Sequence, residues 1–266
     1  ASYNNLGLVH RQLGDLRQAK DCLQKALAIK LKNLGPEHAD VAASYNNLAN
    51  VHRQLGDLNQ PKDFHERALD VYMKNLGPEH ADVAASYNNL GIVHSQLGDL
   101  RHAKDVLNQA MAINLKNLGP EHADVAASYN NLGNVHSQLG DLNQAKDFLG
   151  RALAIKLKTL GRKHADVAVS YNNLGRVHSQ LDDLNQSRDC HERALAIKLK
   201  NLGPEHDDIA VSCNNLGHVH SQLGDLRQAK DFFGRALAIK LKNLGPEHAD
   251  VGVSYNNLGH VHHLVT

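Results

Sequence analysis

The chain has 266 residues with 29 Lys+Arg against 28 Asp+Glu, so no overall basic excess is present to hold nucleic-acid phosphates or an anionic membrane. Its apolar runs are a few residues long, far below the ~20 that cross a bilayer, and no charged-then-apolar leader opens it, so a soluble protein is expected. Cys22, Cys190 and Cys213 are odd in number and lack metal-like spacing, which suits a reducing, cytoplasmic compartment.

In chain order, Tyr-Asn-Asn-Leu begins at Tyr3, Tyr45, Tyr87, Tyr129, Tyr171 and Tyr255, with Cys213 in the sixth of seven slots, a period of 42 residues. A second marker, Gly-Pro-Glu-His, starts at Gly35, Gly77, Gly119, Gly203 and Gly245 and becomes Gly161-Arg162-Lys163-His164 in the fourth repeat. The chain opens inside a first helix. A second helix follows, capped by Asp15 with Gln18 three residues on, and its apolar stripe is Leu16, Ala19, Leu23, Ala26 and Leu27. Gly35 and Pro36 end it.

The next first helix is predicted over Ala39 to Leu55, because Val41, Tyr45, Leu48, His52 and Leu55 share one stripe. Gly56-Asp57 stops it and Asp57/Gln60 starts the following helix, as do Asp141/Gln144, Asp183/Gln186 and Asp225/Gln228. Pro61 falls in a first helical turn, where its missing N–H costs little. Asp182 replaces a turn glycine and should strain the backbone. Gly7, Gly91, Gly133, Gly175, Gly217 and Gly259, with Ala49, give every first helix a small residue where another helix must approach within about 8–10 Å.

Each period is therefore a helical hairpin, and stacked hairpins wall one another into a continuous core. The expected fold class is all-α, a right-handed superhelical solenoid in a single array over 1–266. It would hold six helix pairs, starting inside the first helix of repeat 1, and a seventh first helix at 253–266. Its unfinished ends suggest a segment of a larger protein or an array that stacks end to end.

Tyr3, Leu6-Gly7, Ala19, Leu23 and Ala26 reproduce the spacing of the tetratricopeptide signature. The 42-residue unit, with Asn-Asn-Leu-Gly/Ala, Ala-Leu-Ala-Ile-Lys and Leu-Gly-Pro-Glu-His, resembles the kinesin light chain and nephrocystin type of repeat across the whole chain. It departs where His10 and its equivalents replace Tyr and where Leu31 replaces the usual Pro, so longer second helices are expected.

That resemblance implies a concave groove lined by first helices. The groove positions of the first repeat would be Ala1, Asn5, Leu8 and Gln12. Asn47, Asn89, Asn131, Asn173, Asn215 and Asn257 repeat the asparagine, and Gln54, Gln96, Gln138, Gln180 and Gln222 the glutamine. An amide offers both donor and acceptor, so such a ladder suits the main chain of an extended peptide. It could equally tie a helix to a neighbouring carbonyl or to water. Of the two asparagines in each repeat, the first (Asn4 and its equivalents) suits the structural role better. The variable slot reads Leu8, Asn50, Ile92, Asn134, Arg176, His218, His260, with Arg11 and Arg53 as early basic spots. Acidic ligand side chains are expected near Arg176 and His218, more tightly once His218 and His260 are protonated below about pH 6.5.

Most of the 19 histidines form two columns, at His10 and at His38 and their repeats. A repeated column argues for hydrogen-bonded packing rather than one convergent active site, and no phosphate loop, nucleophile elbow or Cys-x-x-Cys occurs. No enzyme activity, cofactor or metal is expected, although His260 and His263 lie one turn apart. The expected partner is a protein or peptide ligand, with no nucleic acid and no membrane. A cargo adaptor, a scaffold and a sensor array are all implied by the resemblance; the alternative is a scaffold that self-associates through its ends without a groove ligand.

Overall fold

The computed structural model describes residues 2–265, with side chains from 3 to 261. Thirteen helices and no strand occur among the described residues: α1 Ser2–Gln12, α2 Leu16–Leu34, α3 Ala39–Gln54, α4 Asn59–Leu76, α5 Ala81–Gln96, α6 Leu100–Leu118, α7 Ala123–Leu139, α8 Leu142–Thr159, α9 Ala165–Gln180, α10 Leu184–Leu202, α11 Asp207–Gln222, α12 Leu226–Leu244 and α13 Ala249–Val265. They fall into two compact units, Ala1–Leu139 and Gly140–Thr266. In the first, α1/α2, α3/α4 and α5/α6 are hairpins and α7 packs on α5 and α6. In the second, α8 packs on α9, α9/α10 and α11/α12 are hairpins, and α13 packs on α12. The long second helices follow from Leu31 and its equivalents, Met73 among them, since no proline interrupts their last turns.

The first unit's core joins Leu23, Val41, Leu48, Val51, Val71 and Val83, residues at helical spacing on successive helices. In the second unit Leu195, Ile209, Cys213, Leu216 and Ile239 play the same part. Burying each such side chain contributes about 1.5–3 kcal/mol. The small-residue slot explains how hairpins close: a Cβ on Gly7 would lie 2.7 Å from Leu23 Cγ, and one on Gly91 2.4 Å from Leu107 Cγ.

Several expectations are corrected. Leu55 is 41% exposed, because it follows the last residue of α3 and points away from the stripe as the chain turns. α4 begins one residue later in its repeat than α2. Ala19 N–H donates to the Asp15 carbonyl at 3.0 Å, a bond that Pro61 cannot make. Asp57 still accepts from Gln60 N–H, as Asp15 does from Gln18 and Asp225 from Gln228. Asp141 and Asp183 make no such cap bond. α13 starts at Ala249, four residues ahead of 253, where His248 Nδ1 accepts from Asp250 N–H. Asp182 has φ 60°, the single non-glycine in the left-handed region among the described residues, as the turn requires. The side chains of His262, His263, Leu264 and Val265, and all of Ala1 and Thr266, lie outside what is described.

Candidate functional site

The two histidine columns are structural devices. His52 Nδ1 pairs with Asp57 Oδ2 at 3.0 Å and His178 Nδ1 with Asp183 Oδ2 at 3.1 Å, so a buried imidazole clips the first helix of a hairpin to the start of the second. The His52 hydrogen bond holds the Asp57 carboxyl below its usual range. In the other column an imidazole replaces the usual Ser or Asp cap. His38, His80, His122, His164, His206 and His248 each accept, through Nδ1, the backbone N–H two residues on at 3.1–3.2 Å. The connectors are also tied to the next repeat. Lys74 reaches Glu37 at 3.1 Å, Lys116 pairs with Glu79 and Lys242 with Glu205, while Asn75, Asn117, Asn201 and Asn243 donate to backbone carbonyls of the connectors.

The first asparagine of several motifs ties helices together, within its own repeat or to the next. Asn46 Oδ1 accepts from His65 Nδ1 at 2.7 Å, Asn88 and Ser128 exchange bonds at 3.1 and 3.3 Å, and Asn172 Oδ1 accepts from His191 Nδ1 at 3.0 Å. The groove asparagines lean on them: Asn47 Nδ2 donates to Asn4 Oδ1 at 3.4 Å and Asn215 Nδ2 to Asn172 Oδ1 at 2.9 Å. Two of the groove glutamines behave alike, with Gln138 Oε1 accepting from Ser95 and Gln222 Oε1 from Ser179, both at 3.1 Å. These bonds use one end of each amide. Asn47 and Asn215 retain a carbonyl oxygen, and the exposed Gln138 and Gln222 retain an N–H2 donor.

Along the same stripe, Asn5, Gln12, Gln54 and Gln96 are exposed, whereas Leu8, Asn50, Ile92, Asn89, Asn131, Asn134, Asn173 and Asn257 are half-buried. Arg11 and Arg53 are half-buried, and Arg176, Gln180, His218 and His260 are exposed. Asn89 lines a cleft of about 200 Å³ with Ala85, Asn88, Asn114 and Asp124. Arg176, Gln180, Asn215 and His218 come together in a second cleft, of about 180 Å³, with His191 from α10. The His218 ring lies edge-on to Phe233, centroids 4.9 Å apart. Desolvation, and then the neighbouring His260, lower its pKa below the ordinary 6.5. Protonation of His218 therefore sets in at lower pH than the sequence suggested.

The tetratricopeptide-repeat profile matches residues 1–72, 62–116, 111–158, 124–200 and 166–242, which together take in most of the chain. The chain belongs to the tetratricopeptide repeat family. Its structure is similar to BtubC from P. vanneervenii (24% identity, 88% of this chain and 91% of that one, TM-score 0.68). It is similar also to a Podosopora anserina protein named for kinesin light chain and its nearly identical TPR-like repeats (26%, 78% and 98%, TM-score 0.66). A third likeness is to a signal-transduction ATPase with a tetratricopeptide repeat sensor from Pyrococcus horikoshii (15%, TM-score 0.74), where this chain covers 98% of itself and 38% of that protein. No curated protein sequence matches.

Tetratricopeptide folds generally mediate protein–protein interaction and generally serve as non-enzymatic scaffolds. Among the described residues no group of three His, Cys, Asp or Glu side chains is placed to hold a metal, and no helix is long and apolar enough to cross a membrane. All three cysteines are free and buried, and burial pushes the Cys190 thiol up to about 11, which keeps it protonated and unreactive. Sequence reasoning passed over His65 and His191. Both stand in the slot of Leu23, and that departure from leucine was the available signal.

Proposed function

We propose that the chain is a single protein-interaction array whose first helices hold an extended peptide segment, in an adaptor, scaffold or sensor. The observation that carries this reading is the half-spent amide ladder. Ser–Gln and Asn–Asn bonds between consecutive first helices orient Asn47, Gln138, Asn215 and Gln222, leaving Asn215 Oδ1 as acceptor and Gln222 Nε2 as donor, seven residues or about 10 Å apart along α11. Pre-ordered amides pair with a peptide main chain at little entropic cost, and main-chain pairing is indifferent to ligand side chains. Specificity then falls to the variable slot, which changes from Leu8 to His260 along the repeats.

A peptide-display selection against the purified chain tests this, repeated with Asn89→Ala and with Gln222→Ala. Enrichment of a short motif in the wild type, lost or weakened at least tenfold in the variants while their melting curves stay intact, is the expected result. A folded chain that enriches nothing would instead favour a scaffold that meets its partner, or a second copy of itself, outside the groove.

A further inference from the structure

His191 is an ionisable group in a position built for leucine. Leu23, Leu107 and Leu149 fill the equivalent slot in other repeats, and His191 is only 2% exposed there. Its Nδ1–H donates to Asn172 Oδ1, which also accepts from Asn215 Nδ2, so that oxygen is committed as acceptor from both sides. The neutral imidazole therefore carries its lone pair on Nε2. Nε2 lies over Gly175, where a Cβ would come within 2.9 Å. With no methyl in that place, the ring forms part of the wall of the 180 Å³ cleft whose other members include Arg176, Ser179, Gln180, Asn215 and His218. None of these is acidic.

We propose that this cleft is a subsite for one carboxylate side chain of the bound peptide, and that filling it draws a proton from solvent onto His191 Nε2. The proposal rests on the groove reading above and adds a residue from a second helix to it. Charge selects the ligand class. Arg176 is the one permanently cationic lining residue, which matches a monoanionic Asp or Glu side chain; a phosphomonoester dianion would bring a second charge without a standing partner.

Protonation of the empty cleft is opposed. Desolvation first, then the charges of Arg176 on α9 and Lys198 on α10, hold the His191 pKa at about 4. His218 on α11 is also held low, by desolvation and by His260 on α13. An entering carboxylate reverses the sign of the field at His191, and the new Nε2–H becomes a charge-assisted donor to it. The folded, empty form thus binds fewer protons than the filled form, so affinity must rise as pH falls.

The test measures binding of an acetylated, amidated hexapeptide of alternating Ser and Glu by titration calorimetry at pH 7.5 and 5.5. A Ser–Gln peptide, a Ser–phosphoserine peptide and the peptide selected from the library run alongside. If binding raises the His191 pKa by two units, affinity for the Glu peptide rises about fourfold between the two pH values. The Ser–Gln peptide should show no such rise, and in ¹⁵N-histidine protein the His191 ring resonances should move only with the acidic ligand. His191→Leu, which supplies the residue that three other repeats carry, should flatten the rise to below about twofold, and so should Gly175→Ala by covering the ring. Equal pH slopes in wild type and His191→Leu would overturn the subsite while the groove stands, provided the selected peptide still binds. Tighter binding of the phosphoserine peptide than of the Glu peptide would overturn the carboxylate assignment. If no peptide binds a chain that remains folded, the groove reading falls and the subsite with it.

Discussion

His65 in the first unit and His191 in the second occupy the same repeat position and make the same bond to the first asparagine of their own repeat, yet one is sealed and the other borders a cleft. His65 is 0% exposed and its Nε2 has no partner. The first helix facing it carries Ala49 and Asn50, whereas Gly175 and Arg176 face His191. The missing methyl at Gly175, together with Arg176, Ser179 and His218 where the first unit has Asn50, Arg53 and Ile92, separates a core histidine that walls a cationic recess from one that is an enclosed packing group. A repeat array can thus acquire a binding feature by varying four residues around one fixed histidine position.

The largest effect that would sharpen this comparison is acid sensitivity, which the two sites should share. Burial holds both imidazoles at about 4 against an ordinary 6.5, so the unfolded chain binds more protons between those values. Stability is then full above about pH 6.5 and lost as pH falls toward 4, by about 2–3 kcal/mol for each histidine between pH 7.5 and 4.5. Urea melts of His191→Leu at the two pH values should show that loss reduced by one histidine's share. An unchanged acid limb would break the account.

Leucine should not be equally welcome at both places. A Cβ opposite a leucine in this slot comes within 2.4–2.7 Å of it at Gly91 and Gly7, and Ala49 already carries one. His65→Leu alone is therefore expected to overpack and cost about 1–3 kcal/mol at neutral pH, with Ala49→Gly restoring most of it, while His191→Leu opposite Gly175 needs no second change. Equal melting midpoints for the two single variants would show that the methyl is not what separates the sites. A smaller gain, about 0.5–1 kcal/mol, is expected from Asp182→Gly in the second unit, which relieves a φ of 60° at some cost in chain entropy. The smallest comes from Lys163→Glu. Lys163 stands where Glu37 meets Lys74, and Lys200 occupies the lysine position 37 residues on, so the change replaces two like charges by an exposed ion pair worth about 0.2–1 kcal/mol. Thermal melts at low and high salt would show that gain shrinking with ionic strength.

The hairpin period, the caps at Asp15, Asp57 and Asp225 and the small-residue slot at Gly7 and its equivalents were legible in the sequence, because each rests on local chemistry repeated at fixed spacing. The role of the His38 column was not, since an imidazole cap depends on Nδ1 meeting a backbone N–H two residues away. Asn46, Asn88 and Asn172 make the structural bonds expected of the first asparagines, whereas the buried Asn214 Oδ1 has no partner. The mixed role of Asn47 and Asn215 was hidden, because their partners lie 43 residues earlier and the alternatives differ only in which neighbour the amide meets. The Lys74–Glu37 tie was likewise invisible without the stacking of one repeat on the next. Arg176 and His218 were singled out as variable groove residues, but the recess they form required His191 from a different helix.

The most direct measurement on the central claim is an NMR map of the ¹⁵N-labelled chain with a library-selected peptide. Shifts are expected on the stripe of first-helix positions that includes Asn47, Gln54, Asn89, Gln138, Arg176, Asn215 and Gln222, with side-chain amide signals among those that move. Shifts concentrated on the outward faces of the second helices or on the Gly-Pro-Glu-His connectors, with the Asn and Gln side-chain amides still, would contradict that claim.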